Sequence, residues 1–198
     1  MICILDYGVG NLASVRNMFR KLGAVAEISG DPAVVLAAEK LLLPGVGHFD
    51  HAMRALEASD ARGAIDRFAL ELRRPVLGIC LGAQLLGRRS EEVNRAGLGW
   101  LALDCHRFPV APDLRVPHMG WNTSAPTGVD AWITPTLSVG SRFYFAHSYF
   151  MACDSEHDVL GRTTHGSPFA SVVGRDNIVG TQFHPEKSLR YGMAILRA

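Results

Sequence analysis

A cysteine stands between two glycines in Gly78-Ile79-Cys80-Leu81-Gly82. Here a buried apolar run, residues 75–79, gives way to leucines at helical spacing, Leu81, Leu85 and Leu86. A sharp strand-to-helix turn needs small neighbours, because a Cβ there would strike adjacent backbone. Cys80 at such a turn can be a nucleophile, or it can be the small buried hydrophobe that free cysteines commonly are. A thiol with an ordinary pKa of roughly 8.5 is only a few per cent thiolate at neutral pH, so nucleophilic work asks for a helix N-terminus and a nearby histidine. Among eight histidines, His184 stands out in Thr181-Gln182-Phe183-His184-Pro185-Glu186-Lys187-Ser188, after a strand-like run. Pro185 biases His184 towards an extended backbone, and residues two apart in an extended chain share a side. Glu186 can therefore bond one ring nitrogen and leave the other for Cys80. Taken alone, a His-x-Glu is as easily a solvated loop pair.

The elements that must hold these groups alternate between apolar runs and helical patterns over the first ninety residues. Ile2–Leu5 reads as a strand. Leu12, Val15, Phe19 and Leu22 follow helical spacing, with Gly23 as the stop. Val25–Ile28 reads as a second strand, Asp31-Pro32 as the start of a short helix, and Leu41–Leu43 as a third strand stopped by Pro44-Gly45. Helix is expected from about Phe49 to Leu72, broken near Gly63. Repeated β-α units predict an open, mostly parallel mixed sheet flanked by helices, an α/β fold in one domain spanning residues 1–198. The second half, rich in proline and glycine, predicts antiparallel or mixed strands at 115–117, 143–145, 170–173 and 178–182, and a last helix from near Ser188. Ligands in such sheets sit at the carboxyl ends of strands, where Cys80 and the Pro44-Gly45-Val46-Gly47 turn both fall.

Composition excludes several classes. With 198 residues, 48% hydrophobic and 20% charged, the chain can bury a sizeable core. A net charge of +1 advertises neither nucleic acid nor an anionic membrane as partner. The start, MICILDYG, has no basic segment and no long apolar core, so no signal peptide is read, and no run approaches the roughly 20 apolar residues of a membrane span. Four cysteines without a C-x-x-C pair argue for a reducing, cytoplasmic setting. His48 and His51 could share a metal but lack an evident third ligand, so no metal site is expected. Asp6-Tyr7-Gly8-Val9-Gly10-Asn11 matches no nucleotide-loop pattern and reads as a tight turn into a helix cap.

Gly78-Ile79-Cys80-Leu81-Gly82-Ala83-Gln84 followed by Phe183-His184-Pro185-Glu186 resembles the class I (triad) glutamine amidotransferases, whose core is flavodoxin-like. Five further stretches are similar to one branch of that family, the glutaminases of imidazole glycerol phosphate synthesis in histidine biosynthesis. They are Asp6–Leu12, Leu43–Gly47, Val116–Asn122, Phe145–Tyr149 and His184–Ser188. The resemblance implies hydrolysis of glutamine to glutamate and ammonia, without a cofactor, and delivery of the ammonia to a separate (β/α)8 cyclase subunit in a heterodimer. It implies Cys80 as nucleophile, His184 as base then acid, and Glu186 as the carboxylate that orients it. Leu81 N–H and the turn at Val46 and Gly47 would form the oxyanion hole. Gln84, His147, Ser148 and Tyr149 would bind glutamine, and Trp121, Asn122 and Lys187 would meet the cyclase. Arg88-Arg89, and the His48, Asp50 and His51 group after the turn, are small departures. The same triad could serve another acceptor, in sugar amidation or in GMP, anthranilate, carbamoyl phosphate or CTP synthesis, or the chain could be a catalytically silent subunit that activates a partner.

Overall fold

Two of the apolar runs, residues 2–5 and 41–43, lie side by side within a mixed sheet in the computed structural model, which describes residues 1–138 and 140–198. In chain order the first half folds as β1 (Ile2–Leu5), α1 (Leu12–Lys21), β2 (Ala26–Ser29), α2 (Pro32–Ala37), β3 (Lys40–Gly45), α3 (Phe49–Ala58), α4 (Ala61–Asp66), β4 (Val76–Cys80) and α5 (Leu81–Leu85). Strands β2, β1, β3 and β4 neighbour one another in that order and pair in parallel. Alternate residues serve opposite faces, as strand geometry requires. Cys3, Leu5, Leu41 and Leu43 pack with Val35 of α2 and Phe49, Met53 and Leu56 of α3. Ile4 and Leu42 pack with Val15 and Phe19 of α1 on the other face. The helix ends follow their sequence signals. Asn11 Oδ1 accepts from Ser14 N, Asp31 Oδ1 accepts from Ala33 N, and Gly23, just past α1, has φ +73°.

The second half is mostly strand: β5 (Arg89–Ser90), β6 (Val93–Ala96), β7 (Leu103–Arg107), β8 (His118–Thr123), β9 (Ala125–Pro126), β10 (Arg142–His147), β11 (Tyr149–Cys153), β12 (Val159–His165), β13 (Ser167–Arg175) and β14 (Ile178–Thr181), then α6 (Leu189–Arg197). β14 returns to lie parallel beside β4. From there the sheet turns antiparallel through β13, β11 and β7, while β8 and β10 form a separate antiparallel pair. Ile195 and Leu196 of α6 join the α1 face. No described helix is long and apolar enough to cross a membrane.

Three expected boundaries move. Residues 115–117 are not a strand, which begins instead at His118, because Pro117 has no N–H for a ladder. β3 runs through Pro44 to Gly45. Only β4 is paired with this stretch, since the β1 pairing ends at Leu42, so the missing N–H costs no bond on that side. The helix after Phe49 breaks at Ser59, not Gly63. Ser59 is extended and its Oγ donates to Leu56 O at 2.7 Å, while Gly63 lies inside α4 facing open space.

Candidate active site

Three neighbouring strands end together. Gly45 of β3 is in register with Cys80, and Thr181 of β14 with Ile79. Between them Cys80 takes φ +55°, ψ −110°, a backbone state that costs a non-glycine residue free energy and holds the side chain out at the turn. The turn closes because its neighbours are small. A Cβ on Gly82 would overlap the Leu43 carbonyl, and one on Gly45 would come within 2.5 Å of Gly82 N. Cys80 is 5% exposed, with Gln182 Nε2 donating towards its Sγ at 3.8 Å.

His184 follows β14 by three residues and is extended, as Pro185 dictates, with its N–H donating to Tyr144 O at 2.9 Å. Its Nδ1 meets Glu186 Oε1 at 2.8 Å, with both side chains at most 3% exposed. Ser188 Oγ donates to His184 O, so the turn that carries Glu186 is pinned at both ends. Among the described residues nothing bonds Glu186 Oε2, which leaves this carboxylate with His184 alone to serve. Burial pushes the His184 pKa down, but hydrogen bonds to Cys80 and Glu186, and their charges, outweigh it and raise the ring from 6.5 to about 9. A ring so held carries its proton at neutral pH.

Cys80 and His184 floor a cavity of about 370 Å³, with Glu186 behind the ring. Val46, Gly47 and Leu81 line one side, and Gly47 has φ +98°, open only to a residue without a Cβ. Ser148 and Tyr149 line the other, at the bend between β10 and β11. Gln84 reaches the cavity, but Nε2 spends both hydrogens, on Tyr149 O at 3.0 Å and Gln182 Oε1 at 3.1 Å. Both ring nitrogens of His147 are likewise engaged, Nδ1 with Tyr149 O at 2.7 Å and Nε2 with His118 Nδ1 at 3.0 Å. Gln84 and His147 thus hold the cavity wall, and neither nitrogen of His147 is left over for a ligand.

Glu92 also reaches the cavity, and the sequence does not single it out. Its Oε2 accepts from Phe49 N at 2.7 Å, anchoring the carboxylate at the start of α3 just behind the Val46-Gly47 turn. Nothing in the sequence separates it from Glu91, which turns away to His106. Tyr7 is a second omission. Its OH donates to Pro44 O at 2.7 Å, and burial, then the nearby Cys80, push its phenol upwards.

At the rim, Lys187 lines the cavity with its Nζ 5.9 Å from the Tyr144 ring, against which Trp121, 41% exposed, stands edge-on. Asn122 turns inward, donating to Thr164 O and His118. Met119, 65% exposed, joins this rim. Arg88 and Arg89 share Asp104, and Arg88 also grips Asp154, so the basic pair is a surface ion network. His48 lies 3.5 Å from Glu92, Asp50 pairs with Arg54 and Arg95, and His51 is exposed.

The profile described as Glutamine amidotransferase class-I matches residues 3–197. Imidazole glycerol phosphate synthase subunit HisH 2 of Pseudomonas aeruginosa is 45% identical, over 100% of this chain and 97% of its own length. Subunit HisH of Sulfurimonas denitrificans is also 45% identical, over 99% and 95%. Subunit HisH 2 of Methanococcus maripaludis is 40% identical, over 99% and 96%. A crystal structure of a glutamine amidotransferase superposes with a TM-score of 0.75 at 18% identity, covering 99% of this chain and 95% of that one. A glutamine amidotransferase from Thermotoga maritima reaches 0.65 at 15%, covering 99% and 80%. At those identities the superpositions speak for the fold alone. The end-to-end profile and the near-complete sequence matches settle the ancestry: the chain belongs to the class-I glutamine amidotransferase family.

Proposed function

We propose that this chain hydrolyses glutamine through Cys80, His184 and Glu186 and passes the ammonia to a (β/α)8 cyclase subunit that makes imidazole glycerol phosphate and aminoimidazole carboxamide ribotide. Glutamine enters with its ammonium towards Glu92 and its carboxylate towards the Ser148–Tyr149 bend, which lays the side-chain amide over Cys80. The thiolate attacks the amide carbon. The oxyanion takes hydrogen bonds from Leu81 N–H and from the peptide between Val46 and Gly47. His184 gives its proton to the departing nitrogen, and ammonia leaves. The ring, now neutral, takes a proton from water, whose oxygen attacks the thioester and frees glutamate. Glu186 holds Nδ1 throughout, so Nε2 is the nitrogen that works.

The names of the relatives support the histidine-pathway partner, and the rim supports a docked subunit. Trp121, Met119 and Lys187 place exposed apolar area and a cation around the cavity mouth, next to the glycine turn at Gly47. A partner seated there would favour the Val46–Gly47 peptide orientation that points its N–H at the oxyanion, a change of a few kcal/mol. The observation that carries the reading is the strained Cys80 elbow facing the His184–Glu186 pair across one cavity.

The test is glutaminase rate for the chain alone, with empty cyclase, and with cyclase plus its acceptor ligand. A rise of roughly a hundredfold or more from first to last is expected, the size of one oxyanion donor. Cys80→Ala should lose glutamine-dependent turnover in all three, while the cyclase still forms product from free ammonia at alkaline pH. Ordinary glutaminase activity in Cys80→Ala would end the assignment.

A further inference from the structure

Tyr149 O sits at the wall of the cavity and accepts two hydrogen bonds, from Gln84 Nε2 at 3.0 Å and from His147 Nδ1 at 2.7 Å. A carbonyl has no proton to give, so the proton of His147 lies on Nδ1. In the neutral ring Nε2 must then accept, and its partner at 3.0 Å, His118 Nδ1, must donate. That leaves His118 Nε2 as the acceptor for Asn122 Nδ2 at 3.2 Å. The Asn122 amide is fixed from its other side too, since Nδ2 also donates to Thr164 O at 2.9 Å and Oδ1 accepts from Thr123 N at 2.8 Å. Every donor and acceptor therefore points one way, from Asn122 on β8 to the wall of the cavity.

We propose that His147 and His118 are positioning residues for glutamine: their one-way hydrogen-bond chain holds the Ser148–Tyr149 bend in register with strand β8. The proposal rests on the glutamine reading of the cavity. Its surroundings fit a fixed, uncharged chain. Both rings are 5% exposed, and Phe108 packs against both. Phe145 stacks on His118 at 4.6 Å, and His165 stacks on its ring at 4.1 Å, with His165 Nε2 donating to Arg115 O. Burial, then the neighbouring His165, lowers His118 to about 4. Burial also lowers His147, to about 3, against its bond to Tyr149 and with His118, His165 and His184 adding to the fall. A proton on either ring would set donor against donor and break the chain. β8 also carries Trp121 and Met119 on its exposed side, so the same strand that edges the rim is tied by this chain to the substrate wall.

His118→Phe keeps ring volume and removes both bonds. His118→Asn keeps a donor where Nδ1–H stands and loses only the acceptor. Both are measured as the complex with saturating cyclase. His118→Phe is expected to raise KM for glutamine at least tenfold with kcat within threefold, and His118→Asn to recover most of that loss. Labelling of Cys80 by the glutamine-like electrophile diazo-oxo-norleucine should slow by a similar factor in His118→Phe, while labelling by iodoacetamide, which needs no wall, should not change. If His118→Phe fails to fold, Asn122→Ala, at the half-buried end of the chain, should still raise KM two- to fivefold. An unchanged KM in His118→Phe, or in Asn122→Ala where that variant is the one read, overturns the proposal, as does a fall in kcat at fixed KM. A wild-type chain that diazo-oxo-norleucine does not label removes the glutamine reading and this proposal with it. Equal labelling of wild type and His118→Phe removes this proposal alone.

Discussion

His184 and His147 are both buried, each beside the same cavity, and carry opposite protonation. Burial lowers the pKa of each. His184 faces Cys80 and the carboxylate of Glu186, and is raised to about 9 in spite of it. His147 faces a carbonyl and a second imidazole, and falls to about 3. Burial draws both rings towards neutrality; His184 escapes because a thiol and a carboxylate face it, and His147 has no such partner. Under the proposed function the difference divides the site by task. One ring would carry the proton that a leaving amine needs. The other would carry none to release, and would serve as a fixed strut. The two also hang from different strands: His184 follows β14, which pairs in parallel with β4 and antiparallel with β13, whereas His147 closes the antiparallel β8–β10 pair.

The contrast is most exposed to failure at Glu186. Glu186→Gln keeps the shape and removes the charge, and a glutamine can accept or donate towards Nδ1, so the tautomer is no longer enforced. A fall of roughly 10²–10⁴ in kcat is expected, with KM for glutamine within a few-fold, by analogy with the carboxylate of other triads. Steady-state rates with the cyclase present decide it. A normal kcat would mean that Cys80 alone sustains the charge on His184, and that the raised ring owes nothing to its carboxylate.

A smaller effect is expected at Glu92, behind the Val46–Gly47 turn. Glu92→Gln leaves the bond to Phe49 N possible through its amide oxygen and deletes the negative charge at the cavity. Charge-assisted bonds contribute about 1.5–3 kcal/mol, so KM for glutamine should rise roughly 10- to 100-fold with kcat little changed. Binding of glutamate, the product with the same ammonium, should weaken in parallel when read by calorimetry. A KM rise confined to glutamine would place Glu92 nearer the amide than the amino group.

The two sides also differ in how plainly the sequence shows them. The parallel half is buried on both faces, so β1, β3 and β4 read as unbroken apolar runs that any window detects. Cys80 ends such a run, and Pro185 fixes the backbone of His184, so the Cys80, His184 and Glu186 arrangement is legible from local rules. The antiparallel half is not. β5 and β6 are too short to carry a pattern, and β7, β11 and β12 mix buried and half-buried positions without a clean alternation. Glu92 and Gln182 reach the site through those segments or just past a strand end, where spacing carries no signal. His118 and His147 are 29 residues apart, and only the register that sets His147 against His118 in the β8–β10 ladder brings their rings together.

The finest test separates the two kinds of histidine by pH. His118 and His147 have folded pKa values of about 4 and about 3, below the 6.5 of an exposed ring. A group whose folded pKa is depressed contributes its stability above the unfolded value and loses it as pH falls. The contribution is therefore complete above about 6.5, and declines through pH 6 and 5 towards about 4, as the unfolded chain takes up protons that the folded rings refuse. Each such ring costs about 1.4 kcal/mol per pH unit within that window, a change of a few degrees in Tm for a chain of this size. Carboxylates titrate over part of the same range, so the informative quantity is a difference. The drop in Tm between pH 7 and pH 5 should be smaller in His118→Phe than in wild type, even though the variant starts lower. Glu186→Gln should show a drop larger than wild type, because His184 loses a partner that holds its ring charged while burial still opposes that charge. A drop of equal size in His118→Phe would mean that the wall ring is charged in the folded state after all, and the contrast between the two histidines would then lie in their bonds and not in their protons.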